Sequence, residues 1–325
     1  MRRDEITSRT QQTGPLSTKA RDFFIMPLIK KHFPGLAENL AQDDEDPFQD
    51  AKKTSSSSLS EDIAWEDRGS DITVIAFTGM AIRYGGIPQF EFKKILSQEG
   101  DRYNHIFVRD VRRSVYFRSP QGGNNGLQYY QELIQDAISH LPPSFNVAIG
   151  ISSGGQASFL FCNRLPIHHI LAFNPSFPTD LYASESLLRL ALRPKLLFTD
   201  HMSYFESILM VLSVGAVLKR QRRLLGRENI PDEIQCFLST RSQSPTATIF
   251  YSQRNPPDFR QAMRLRGTPG ITLKPLNSAR HVCLKELRGN GELGPLIHHE
   301  IHNAHTAWLN AGNRPSIKSD QRFAD

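Results

Sequence analysis

The chain is predicted to be an α/β protein: a mostly parallel sheet with helices on both faces and a helical lid inserted late. Three observations predict this. Short, almost wholly apolar runs such as Ile72–Phe77, Asn146–Ile151 and His169–Phe173 alternate with segments of helical periodicity. Strands apolar on both faces belong to a parallel sheet covered on both sides. Between residues 181 and 240 the alternation stops and helical character takes over, with Leu187, Leu188, Leu190 and Leu192 and then Tyr204 to Leu218.

In order, residues 1–70 read as a polar extension and linker. Phe23 to Phe33 is apolar with basic residues near its end, and Pro27 and Pro34 limit any helix there. Asp43-Asp-Glu-Asp46 and the serines 55–58 carry few apolar residues and read as a solvated tether. The first part of the α/β core is expected over 71–180. Ile72–Phe77 is a strand ended by Thr78-Gly79-Met80. Pro88 to Leu96 is a helix with Phe90, Ile95 and Leu96 inward, and His105–Val108 is the next strand. Leu127, Tyr130, Ile134, Ala137 and Ile138 give the segment Leu127–His140 one apolar stripe. The loop Gly122–Gly126 before it lacks the Lys-Ser/Thr ending of a phosphate loop and reads as an Asn- or Gly-capped helix start. The lid insertion occupies 181–240, ending in a basic run from Lys219 to Arg227 that reads as a solvated face. The second part of the core spans 241–325: a strand at Ala247–Tyr251, a helix to Arg266, a short strand at Gly270–Leu273, and a loop entering a helix at His281.

Composition narrows the function classes. At 325 residues the chain is long enough for one large domain with an insertion, or for two smaller domains. Its net charge of +6 is not gathered into one tract, so no nucleic-acid partner is expected. Cys162, Cys236 and Cys283 lie far apart, without metal or redox spacing, and read as free thiols in a reducing compartment. The start, Met1-Arg-Arg-Asp-Glu, has no apolar core of a secretory signal. Ile208–Leu218 is shorter than the roughly 20 residues of a bilayer span. A cytoplasmic protein is expected.

The chemistry is centred on Gly150-Ile151-Ser152-Ser153-Gly154, a G-x-S-x-G motif between a strand and a segment, Gln156–Cys162, that can be helical. In that context the motif is a nucleophile elbow. Side chains at Gly150 and Gly154 would collide with the neighbouring strand and helix. Backbone N–H groups at the helix start, with the helix dipole, favour a developing oxyanion above Ser152. Serine attack on a carbonyl also needs a base and an acid to hold that base. Ser152, Asp258 and His281 follow one another in the chain order of such sites, Asp258 after one late strand and His281 after the last. Asp180, after the strand that ends in Asn174-Pro175, is a rival for the acid. The oxyanion donors are expected to be the N–H groups of Ser153 and Met80, although the loop carries Thr78-Gly79 where His-Gly is often found.

With Val108-Arg109-Asp110 at a strand end, Ser152-Ser153-Gly154-Gly155 at the elbow and His281-Val282 before a late helix, the chain from Asp71 onward, lid excluded, resembles the α/β-hydrolase superfamily. More narrowly, it resembles uncharacterised bacterial members with these same features. The resemblance implies the fold and an acyl-hydrolysis chemistry acting on a small-molecule or lipid-like ester without a cofactor. Acyl transfer on the same triad, or a non-catalytic binding protein on the same core, are its alternatives. His298, His302 and His305 share a helical face, but position 303 is Asn where the zinc-protease pattern needs His, so no metal is expected and a surface helix is. Phe23–Phe33 is the segment expected to make any weak membrane-surface or protein contact.

Overall fold

The computed structural model describes residues 57–59, 62–79, 90–98, 102–177, 223, 225–226, 231–239 and 245–313. One compact unit comprises residues 50–81 and 88–325; the other, 1–49 with 82–87, lies outside the described residues.

The described strands are β1 (Ser57–Leu59), β2 (Ile63–Glu66), β3 (Ile72–Phe77), β4 (Asn104–Val108), β5 (Phe145–Ile151), β6 (His169–Phe173), β7 (Thr246–Ser252) and β8 (Ile271–Leu276). They form one sheet in the order β1-β2-β4-β3-β5-β6-β7-β8. β2 runs antiparallel to β1 and β4, and the strands from β4 to β8 run parallel. The described helices are α1 (Lys93–Gln98), α2 (Gly126–Ser139), α3 (Ser153–Phe161), α4 (Glu233–Leu238), α5 (Pro256–Arg264), α6 (Leu284–Gly289) and α7 (Leu293–Asn310).

The all-apolar strands are explained by two cores that share them. Ile75 and Phe77 of β3, Ala148 of β5, and Ile170 and Ala172 of β6 face α2, α3 and α4, where Tyr130, Ile134, Phe159 and Phe237 meet them. The alternate residues Val74, Ala76, Val147, Ile149, Leu171 and Phe173 face α1, α6 and α7, packing on Leu96, Leu284, Ile297 and Ile301. With a period of 2 and both faces covered, each strand must be apolar throughout.

Register sets where a ligand can bind. Phe77 lies opposite both Val108 and Gly150, Ile151 opposite Phe173, and Phe173 opposite Phe250. The carboxyl ends of β3 to β7 therefore share one edge. From β3 the chain steps to β4 on one side and returns through β5 on the other. Strand order reverses there, which opens a crevice above β3 and β5.

Four expectations change. The sheet begins before Asp71, because Ser57–Leu59 and Ile63–Glu66, within the stretch read as linker, are strands; Ile63 and Ala64 are buried against β4. β8 runs on through Lys274-Pro275-Leu276, since an edge strand can lose one N–H without breaking a second ladder. Of the lid segment, α4 packs into the core: Cys236 and Phe237 are buried, and Phe237 meets Phe159 of α3 with ring centroids 5.4 Å apart. The rest of 181–240, apart from Arg223, Leu225, Gly226 and 231–239, lies outside the described residues. The histidine-bearing helix is not a surface helix along its whole girth. α7 buries Leu293, Ile297, Ile301 and His305. No described helix is long and apolar enough to cross a membrane.

Candidate active site

Ser152 sits between β5 and α3 with φ 55° and ψ −120°. Such a conformation costs a non-glycine residue on the order of 1–3 kcal/mol and persists only when its surroundings dictate it. Here they do. Ser152 N–H donates to Phe173 O at 3.0 Å, and Ser152 O accepts from Gln156 N and Ser176 N, each at 3.0 Å. The expected glycine constraints are present. A Cβ on Gly150 would lie 2.3 Å from the Gly154 carbonyl carbon, and one on Gly154 would lie 2.2 Å from Phe77 O. The turn at Ser152 is thus pressed between β3 and the first turn of α3. Ser153 is the first residue of α3, where a backbone N–H has no partner within the helix.

Asp258 and His281, 23 positions apart in the chain, meet: His281 Nδ1 lies 2.8 Å from Asp258 Oδ1, and both side chains are buried. Asn255 caps α5, its Oδ1 accepting from Asp258 N at 3.3 Å. That frees the Asp258 carboxylate, in the first turn of α5 where the dipole favours negative charge, to face His281. Burial raises the Asp258 carboxyl above its ordinary range, against the pull of His281.

Sequence reasoning missed how His281 is held. Asn174, at φ 41° just after β6, accepts from Ser252 N (2.7 Å) and donates through Nδ2 to Ser252 Oγ (2.8 Å) and to His281 O (2.6 Å). Ser252 Oγ donates to Arg280 O at 2.7 Å. One buried amide and one buried hydroxyl thereby fix the two carbonyls at and before His281. The only trace of this in the sequence was Asn174-Pro175 ending a strand.

Ser152 Oγ shares a 2.9 Å hydrogen bond with Ser176 Oγ, and among the described residues no hydrogen bond joins it to His281 Nε2. Ser176 was not anticipated either. On the other side of this turn, Gly79 N–H donates to Glu91 Oε2 at 2.9 Å, and a Cβ on Gly79 would stand 3.0 Å from Ile151 O. Met80, the expected second oxyanion donor, and Asp180, the rival acid, lie outside the described residues.

Asp110, the end of the Val-Arg-Asp stretch, is a loop clamp. Its carboxylate accepts from the backbone N–H of Arg112 (3.1 Å), Ser114 and Tyr116 (2.9 Å). This holds Arg113, Val115 and Tyr116 at positive φ. Tyr116 OH then reaches Thr78 O (2.9 Å) and Val108 O (3.1 Å), which secures the chain where β3 ends. Arg109 is buried over the Phe90 ring, 4.5 Å from its centroid. The histidines of α7 have separate settings. His298 pairs with Arg102 Nη1 (2.6 Å) and Tyr103 OH (2.5 Å), His305 packs on Phe145, and His302 is exposed.

No family model matches the chain, and no curated protein matches it by sequence. Among solved structures it is similar to a protein of unknown function from Staphylococcus aureus (13% identity, 75% of this chain and 94% of that one, TM-score 0.49). It is also similar to a carboxylesterase of the thaumarchaeon Nitrososphaera gargenis (15%, 79% and 99%, 0.45). A third is the capsule O-acetyltransferase of Neisseria meningitidis serogroup A (13%, 75% and 93%, 0.46). Chemistry on such a scaffold has to be read from this chain's own side chains.

Proposed function

We propose that the chain is a serine hydrolase of the α/β-hydrolase type, acting on a carboxylic ester or related acyl group. The observation that carries the reading is the buried Asp258–His281 pair, 2.8 Å apart, at the sheet edge where the strained Ser152 stands. A carboxylate on Nδ1 fixes the tautomer that leaves Nε2 to accept a proton, and steadies the imidazolium once formed.

In the proposed reaction Ser152 Oγ attacks the acyl carbon as its proton passes to His281 Nε2. The Ser153 N–H donates to the oxygen that becomes negative. Collapse expels the alcohol, which takes the proton from His281. A water, deprotonated by the same imidazole, then releases the acid and regenerates Ser152. An acceptor hydroxyl in place of that water makes the same site an acyltransferase. No step requires a cofactor.

The test is turnover of p-nitrophenyl acetate, butyrate and octanoate by the native chain and by His281→Ala. Ester hydrolysis that falls by three orders of magnitude or so in the variant supports the reading, since removing a triad member costs about that much or more. Equal background rates from both contradict it. One observation favours a second reading, a non-catalytic binding protein on the same core: the hydrogen bond at Ser152 Oγ runs to Ser176 rather than to His281. That reading predicts no turnover on any ester.

A further inference from the structure

We propose that Ser176 is a positioning residue for Ser152, its hydroxyl donating to Ser152 Oγ so that Ser152's own proton is left for His281. This rests on Ser152 being the nucleophile. Ser176 holds Ser152 twice. Its N–H donates to Ser152 O at 3.0 Å and its Oγ lies 2.9 Å from Ser152 Oγ. Ser176 is wholly buried, with 0% of its surface exposed, so water does not compete for that hydroxyl.

The direction of the bond matters. A hydroxyl has one hydrogen to give. If Ser152 gave its own to Ser176, none would remain for the imidazole, and the attacking oxygen would be masked. If Ser176 is the donor, the bond strengthens as negative charge builds on Ser152 Oγ, because hydrogen bonds to a charged acceptor exceed those to a neutral one. Two residues earlier in the same turn, Asn174 donates to His281 O at 2.6 Å. The Asn174-Pro175-Ser176 turn therefore touches both nucleophile and base, and sets one against the other.

A thiol at position 152 reads the hydrogen bond without needing turnover. In Ser152→Cys, the pH dependence of alkylation by iodoacetamide gives the apparent pKa of that thiol. Cys162, Cys236 and Cys283 are buried, and the native chain serves as the blank. Adding Ser176→Ala should raise the apparent pKa by about one unit, a roughly tenfold loss of thiolate at a given pH. Ser176→Gly should do the same, with Tm recorded for each variant to exclude unfolding, and Ser176→Thr, which keeps the hydroxyl, should restore the lower value. An unchanged or lowered pKa in both the Ala and Gly variants overturns the proposal. A raised pKa in a chain that turns over no ester supports the hydrogen bond and overturns only the hydrolase reading.

Discussion

At the scale of single residues, the site is a set of side chains held away from their relaxed states. Asp258 is the sharpest case. Burial raises its carboxyl, His281 opposing, so the folded chain binds that proton more tightly than the unfolded chain does. Such a group lowers stability as pH climbs through and beyond the ordinary carboxylate range, near 4. Asp258→Asn removes the buried charge. Thermal melts should show the variant at least as stable as the native chain near pH 7. That margin should close as the pH falls to about 4, while ester turnover drops by about 10³–10⁴-fold. Gly154→Ala tests the packing of the turn after Ser152. Its Cβ would fall 2.2 Å from Phe77 O, and urea unfolding should show a loss on the order of 3 kcal/mol or more. The strained turn at Ser152 with its glycines, and the meeting of Asp258 with His281, were legible in the sequence because a short motif and a chain order point to them. Ser176 and the side-chain role of Asn174 were not. Contacts between residues 24 and 107 positions apart leave no periodicity to read.

At the scale of elements, legibility followed burial. Every strand covered on both faces was found from its apolar run, and α2 from its stripe. The elements missed lie toward the sheet's margins. β1 is drawn from a serine run and β2 is four residues of mixed polarity, so neither carries the signature of a strand. They still protect β4, whose outer edge is paired by β2 from Ile63 opposite Val108 to Glu66 opposite His105. Two truncations separate their contributions. A chain starting at residue 61 loses β1 and should keep a native-like melt. One starting at residue 69 also loses β2, bares the β4 edge, and should aggregate on heating, as seen by light scattering. α4 makes a comparable point within the segment read as a lid. Its Glu233 carboxylate accepts from Gln156 Nε2 of α3 at 2.6 Å, so the helix that follows Ser152 is braced by the end of the segment read as a lid.

For the whole molecule, several imidazoles are buried away from the site. Burial, helped by Arg68, lowers His105 to about 3; burial, helped by Lys274, lowers His169 to about 4. Burial lowers His168 and His305 as well. These groups are neutral when folded and take up protons more readily when unfolded. Their contribution is complete above the ordinary histidine value of about 6.5 and is lost as pH falls below it. For His105 and His169 the loss is about 1.4 kcal/mol each per pH unit below that value. Tm should therefore decline steeply on acidification well before the carboxylates protonate, and His169→Gln should flatten the decline. What this scaffold carries at its sheet edge is decided most directly by a fluorophosphonate probe, with the label located by peptide mass spectrometry. The account predicts one adduct per native chain, on Ser152, and none on Ser152→Ala. A native chain left unlabelled, or a label that persists in the alanine variant, would contradict it.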